Sequence, residues 1–139
     1  MRNTDEMQNE LLSAPSLERF LSDQQEQFQC RGFADYLNEL ITTKEVSKTE
    51  LAKNSYMSEV YLYQILSGVR HPSRNRVICL AFSLGATLPE VQRMMTEAGF
   101  APLYVKDRRD AILLYGLSHS IKIEEINELL FHQSEEELY

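Results

Sequence analysis

The stretch 58–67 carries hydrogen-bonding groups suited to recognising another molecule rather than to catalysis. Two of its apolar residues, Leu62 and Ile65, would face inward on a helix. The side chains that then point outward or lie at the flanks are those of Glu59, Val60, Tyr61, Tyr63, Gln64 and Ser67. The amide of Gln64 can pair bidentately with adenine, the carboxylate of Glu59 can accept from cytosine, and an aliphatic side chain can lie against a thymine methyl.

Cations that could contact DNA phosphates flank this stretch on both sides, because residues 55–68 contain no Lys or Arg. For a single arginine, a solvated loop explains its presence as well as phosphate contact does. As a cluster directly after the helix, however, the arginines within 70–76 favour phosphate contact, and hydroxyls can donate to phosphate as well. The predicted phosphate contacts are Lys48, Ser58, Tyr61, Arg70, Arg74 and Arg76, with Lys44 and Lys53 as further cations of the flanks.

A helix, a short turn and a second helix must position these side chains. Ser47 and Glu50 have the spacing of a capping box at the start of the first helix. The Asn-Ser-Tyr run at 54–56 favours a tight turn, because Asn and Ser side chains bond to their own backbone and compete with the helix. Ser58 can cap the second helix, and Gly68 can end it in the left-handed conformation.

This pattern resembles the helix-turn-helix of the Cro and phage-repressor family, also called XRE-type. The matching residues are Leu51-Ala52, Met57-Ser58, Leu62, Ile65 and the run Gly68-Val69-Arg70-His71-Pro72-Ser73. Similar small bacterial regulators share a Tyr-Leu-Tyr-Gln-Ile core and a downstream Arg-Asp-Ala-Ile, which this chain has at 61–65 and 109–112. The resemblance covers residues 33–88. Two positions depart from it, since Tyr56 stands where the family often has Gly and Leu66 where it often has Glu.

The resemblance implies an all-α fold with a lambda-repressor-like domain of five short helices. The helix at about 58–67 would then enter the major groove of double-stranded DNA. In this family, base edges are contacted from the first turn of that helix and from one turn later. Carried over to this chain, the base contacts are Glu59, Val60, Tyr63 and Gln64. The implied function is a sequence-specific DNA-binding transcriptional regulator.

Further helices are predicted on both sides of the motif. Ser16 can cap a helix from Leu17 to about Gln29, which either packs on the domain or serves as a dimerisation arm. We favour packing, because its apolar stripe is thin. The other helices are predicted at about 33–42, 74–85, 88–98, 108–117 and 122–131. The resulting parts are an acidic N-terminal tail and helix at 1–30, the DNA-binding domain at 31–99 and a helical hairpin at 100–139.

The second half of the chain holds a repeat with a period of 35 residues. Leu88, Val91, Met94 and Met95 match Ile123, Ile126, Leu129 and Leu130, and Leu103-Tyr104 matches Leu138-Tyr139. We expect the second hairpin to stack on the first and to leave an apolar surface for a second chain, giving a homodimer. The alternative is a monomer whose second copy folds back on the domain. Since Ser120 replaces Gly85, we expect the second hairpin to turn differently.

Composition and charge limit the class of protein. The 139 residues include only two cysteines, Cys30 and Cys79, and no run approaches the roughly 20 apolar residues of a membrane span. We therefore expect a cytoplasmic protein. The formal net charge of −7 argues against binding nucleic acid through bulk electrostatics. Residues 31–76 nevertheless carry a net charge of +2, against −4 for 1–30 and −5 for 77–139.

Other functions are less favoured by the residues. The three histidines are scattered, and no Gly-rich phosphate loop or metal-ligand spacing occurs, so we expect no catalysis, no metal and no cofactor. The main alternative is a protein-interaction adaptor with the same fold, because tyrosines such as Tyr56, Tyr61 and Tyr63 are enriched at interface hot spots. An antitoxin-type or phage-type repressor with a protein partner or inducer is also open.

Overall fold

The computed structural model describes residues 31–139, which form seven α-helices and no β-strand. The helices are α1 (Arg31–Thr43), α2 (Lys48–Asn54), α3 (Glu59–Leu66), α4 (Arg74–Leu84), α5 (Leu88–Glu97), α6 (Arg108–Ser118) and α7 (Ile123–His132). The predicted all-α class is confirmed for these residues. The helix predicted at 17–29 lies outside them. Within the described range, none of the helices has the length and hydropathy needed to cross a membrane.

Side-chain caps mark where five of the helices begin, including the caps predicted at Ser47 and Ser58. The side chains that accept from a backbone N–H in the first turn are those of Ser47, Ser58, Ser73, Thr87 and Asp107. Each such cap contributes on the order of 1 kcal/mol to helix stability.

The capping box is complete at α5. The hydrogen bond that the Thr87 N–H donates to Glu90, and after it the ion pair with Lys44, lower the pKa of Glu90 below its ordinary value of 4.5. At α2 only the Ser47 half forms, so the capping box predicted there is wrong in its Glu50 half.

One hydrophobic core joins all seven helices. Its largest fully buried side chains include Phe33, Leu37, Leu51, Leu62, Ile65, Ile78, Leu80, Met94 and Met95. Leu62 and Ile65 are the inward residues predicted for the helix of the motif, and both are at most 1% exposed. Full burial of a Leu or Ile side chain contributes about 1.5–3 kcal/mol. The pair therefore fixes which side of α3 faces away from the protein.

The turn between α2 and α3 is left-handed at Tyr56, whose φ is +57°. This is the position where the resembled family often has Gly, and a non-Gly residue there costs roughly 1–2 kcal/mol. Contacts from the C-terminal part hold Tyr56 in place: its ring stacks on that of Tyr139 with the centroids 3.8 Å apart, and its hydroxyl donates to Glu124 Oε1 at 2.7 Å. The same hydrogen bond lowers the pKa of Glu124 below its ordinary value of 4.5.

The repeat appears in the structure as two hairpins with the same hydrogen bonds. After α4 the N–H of Ala86 donates to the carbonyl of Ala81, and after α6 the N–H of Ile121 donates to the carbonyl of Gly116. Ser120 takes a φ of +54°, close to the +62° of Gly85. The expectation that the second hairpin turns differently is therefore wrong, because a serine can adopt the left-handed conformation at a modest cost.

Amide side chains fasten the segment that follows each hairpin, again at equivalent positions. Gln92 Oε1 accepts from the N–H of Leu103 at 2.7 Å, and Asn127 Oδ1 accepts from the N–H of Leu138 at 2.7 Å. The second hairpin stacks on the first, with α6 against α5 and α7 against α4. This is the arrangement expected from the repeat.

The close approach of α6 to α7 requires a glycine at position 116. A Cβ there would lie against the side chain of Ile126 at less than ordinary contact distance and 3.2 Å from Phe82. The equivalent residue of the first hairpin is Ala81, so the second hairpin is the more tightly packed at this point. Ile126 is fully buried, so its side chain is surrounded by other parts of the protein.

We predict that Gly116→Ala lowers the free energy of unfolding by about 1–3 kcal/mol through overpacking. Urea denaturation followed by circular dichroism measures this loss. Adding Ile126→Val should recover part of it, because the nearest contact is the terminal methyl of Ile126. A Gly116→Ala variant as stable as the parent, or a double variant with simply additive losses, would contradict the steric account.

Candidate nucleic-acid interface

The outward side of α3 is open to solvent among the described residues 31–139. Val60 is 69% exposed and Tyr63 is 49% exposed, and Glu59 is also exposed. Gln64 is half-buried. The four predicted base-contact residues therefore lie on one accessible surface of a single helix. We call this surface, made of Glu59, Val60, Tyr63 and Gln64, the α3 face.

Gln64 and Arg70 are joined by a hydrogen bond that the sequence did not predict. Arg70 Nε donates to Gln64 Oε1 at 2.9 Å, and the N–H of Arg70 donates to the Gln64 carbonyl at 3.1 Å. The first contact leaves the amide N–H₂ of Gln64 and one lone pair of its oxygen free, which is what adenine pairing needs. It also holds the amide in one orientation before any ligand arrives.

Two arginines lie against the ring of Tyr61. The guanidinium of Arg70 is 5.3 Å from the ring centroid and that of Arg76 is 4.7 Å from it. Contacts of this kind are worth roughly 0.5–1 kcal/mol at exposed sites. Here they hold two cations, from the loop after α3 and from α4, next to one half-buried tyrosine.

Lys48 and Ser58 complete the surroundings of the α3 face. Lys48 Nζ lies 5.6 Å from the centroid of the Tyr63 ring, so the start of α2 approaches the outer side of α3. The Ser58 hydroxyl accepts from the N–H of Tyr61 at 3.1 Å as the cap of α3. Its own O–H proton remains available to an acceptor.

Arg74 has a different environment from the other predicted phosphate contacts. Its two terminal nitrogens each lie 3.2 Å from a carboxylate oxygen of Asp110, a buried residue of α6. Asp110 also accepts from the N–H of Tyr104 at 3.0 Å. Lys44, another cation of the flanks, pairs with Glu90 at 3.0 Å. These two cations join parts of the fold, and we leave both out of the candidate interface.

Sequence reasoning missed two features near the α3 face. Val69, directly after Gly68, is 80% exposed in the loop that follows α3. An isolated aliphatic residue in a polar loop was the signal that could have found it. No local sequence pattern predicts the contact of Tyr56 with Tyr139 and Glu124, because these residues are 68 or more positions apart.

Comparisons of the chain with known protein families, with curated proteins and with solved structures found no significant match. The family resemblance is therefore carried by the motif residues alone. The geometry adds an exposed helix face beside three cations, Lys48, Arg70 and Arg76.

The different surroundings of the arginines give a prediction about stability. Arg74→Ala should lower the free energy of unfolding by about 2 kcal/mol, because it leaves the buried carboxylate of Asp110 without its cation. Arg76→Ala, the matched control on the same helix, should cost less than about 1 kcal/mol. Chemical denaturation of both variants tests this. Equal losses would mean that the ion pair with Asp110 does not connect the two hairpins energetically.

Proposed function

We propose that this protein is a sequence-specific DNA-binding transcriptional regulator of the Cro and phage-repressor type. In this proposal residues 31–99 form a lambda-repressor-like domain and α3 enters the major groove. The observation that carries the proposal is the exposed α3 face with three cations held beside it by Tyr61 and Tyr63. A groove-binding helix needs its outward side free and cations at its edges to meet the phosphates.

Base recognition in this proposal comes from the α3 face. Gln64 pairs with an adenine, Glu59 accepts from a cytosine and Val60 lies against a thymine methyl. Tyr63 lies between them and contributes its ring and hydroxyl. Each good pair discriminates against a wrong base by about 1–3 kcal/mol.

Phosphate contacts come from Lys48, Arg70 and Arg76, with the hydroxyls of Ser58 and Tyr61 as further donors. Arg74 is replaced in this role by its neighbours, since its guanidinium is engaged by Asp110. So few cations on a chain with a net charge of −7 give weak non-specific binding. We therefore expect affinity to depend on base contacts and on pairing of two domains more than on charge.

As a homodimer, the protein would place two α3 helices about 34 Å apart along the duplex. The corresponding operator is a near-palindrome whose half-sites are one helical turn apart. A two-fold arrangement of this kind doubles the small number of base contacts that one α3 offers.

A second candidate function is supported by the apolar part of the same surface. Val60, Tyr63 and Val69 are all about half exposed or more, and together they could meet an apolar patch on a protein. In that case the fold is an adaptor and DNA is not its ligand. Binding of labelled duplex DNA at low salt separates the two candidates.

We predict that Gln64→Ala relaxes base preference at one operator position without weakening non-specific binding. The reason is that the amide reads a base edge and contributes nothing to counterion release. Binding to the parent operator and to operators changed at each position measures the effect, expected at about 1–3 kcal/mol at one position. An equal loss on every sequence would contradict the assigned role.

We predict that Arg70→Ala and Arg76→Ala each reduce the salt slope by about one unit, and that Arg76→Ala weakens binding to all sequences alike. Arg70→Ala should also relax base preference at the position read by Gln64, because Arg70 orients the Gln64 amide. Each loses a cation that would release a counterion from the phosphates. Arg93→Ala is the matched control, because Arg93 lies on α5 over the ring of Tyr36 and pairs with Glu97. A slope unchanged in Arg70→Ala and Arg76→Ala, or reduced equally in Arg93→Ala, would assign these arginines to solvent.

A further inference from the structure

The 35-residue repeat presents the same hairpin face twice, in two different surroundings. In the first hairpin this face consists of Val77, Leu80, Leu84, Met94 and Ala98, each at most 6% exposed. The helices of the first half cover it, with α1 against α5 and α2 against α4. The covering helices also supply charge and aromatic partners: the Lys44 ammonium lies 3.0 Å from Glu90, and Arg93 lies over the Tyr36 ring at 4.1 Å.

In the second hairpin the equivalent face is uncovered by any other part of residues 31–139. Its residues are Ile112, Tyr115, His119, Leu129 and Gln133, and we call it the outer hairpin face. Tyr115 is 54% exposed and Leu129 is 38% exposed, whereas their equivalents in the first hairpin are fully buried. A cleft of about 390 Å³ lies between α6 and α7 on this side. The Tyr115 ring is held over it by stacking on His119 at 4.1 Å.

The charges at the two ends of the outer hairpin face are opposite. Arg108 lies at one end, where its guanidinium donates to Gln133 Oε1 at 2.7 Å. It touches Glu135 only at 4.0 Å, and its side chain is 65% exposed. Glu125 lies one helical turn before Leu129 toward the other end and is exposed. Its equivalent in the first hairpin is Glu90, which forms an ion pair with Lys44, the residue directly after α1.

We propose that the outer hairpin face is the homodimer interface, occupied by the same face of a second copy. A two-fold axis through its apolar middle sets two copies against each other in opposite directions. Arg108 then meets the partner's Glu125, and the same pair forms a second time by symmetry. The face is thus complementary to itself in charge, with Tyr115 and Leu129 between the two ion pairs. In this arrangement Glu125 pairs with the partner's Arg108, as Glu90 pairs with Lys44 in the first hairpin.

This inference rests on the homodimer part of the proposed function and not on DNA. Its test uses the full chain without DNA, so its failure and the failure of DNA recognition are separate results. Sedimentation equilibrium should show a monomer–dimer equilibrium for the parent chain. Leu129→Arg should weaken dimerisation on the order of a hundredfold, since it places a charge in the middle of the apolar contact.

Phe131→Arg is the matched control for Leu129→Arg. Phe131 is 63% exposed on the same helix but is about 160° of helix rotation away from Leu129. It should leave the dimerisation constant unchanged. Both positions are exposed, and circular dichroism checks that both variants remain folded. A parent chain that stays monomeric at all concentrations, or equal effects of the two substitutions, would overturn the proposal.

A charge exchange tests the orientation of the two copies. Arg108→Glu and Glu125→Arg should each weaken self-association roughly tenfold, because both symmetric ion pairs become repulsive. An equimolar mixture of the two variants should associate as tightly as the parent, since both contacts between unlike chains are again attractive. No recovery in the mixture would overturn the two-fold arrangement.

Discussion

The burial of Leu62 and Ile65 is the constraint on which the proposed recognition surface depends. Both side chains are at most 1% exposed, and they fix the rotation of an eight-residue helix that is too short to be stable alone. With its inner side bound to the core, α3 presents the α3 face, made of Glu59, Val60, Tyr63 and Gln64, on its outer side. The capped start at Ser58 and the left-handed end at Gly68 limit the helix to that length.

A shortage of positive charge shapes how this surface would work. Only a few cations lie beside the α3 face. Lys48 contacts the ring of Tyr63, and Arg70 and Arg76 contact the ring of Tyr61, so these rings hold the cations at the edge of the face. Other basic side chains form ion pairs within the fold: Arg74 joins the two hairpins through Asp110, and Lys44, directly after α1, pairs with Glu90 of α5. Aromatic rings that orient cations reduce the side-chain entropy lost on contact with a ligand.

Local signals in the sequence predicted the helices, because caps and apolar spacing act over a few residues. Ser47 and Ser58, predicted as caps from the sequence, mark helix starts in the structure. Contacts between distant residues could not be predicted in this way. The ion pair of Arg74 with Asp110 and the stack of Tyr56 on Tyr139 depend on how the second hairpin packs. The prediction that the turn at Ser120 differs from the turn at Gly85 was wrong. It assumed that the change from Gly to Ser would change the backbone conformation, but the repeated packing keeps it the same.

The second hairpin therefore contributes to both of the proposed surfaces. It fastens the turn before α3 through Glu124 and Tyr139, and its other side carries the outer hairpin face. The most direct measurement of the central claim is selection of bound sequences from random duplex DNA by the full chain at low salt. Recovery of one near-palindromic sequence, lost when Val60 and Gln64 are both replaced by Ala, is the predicted result. Recovery of no preferred sequence would contradict the assignment of α3 to a DNA groove.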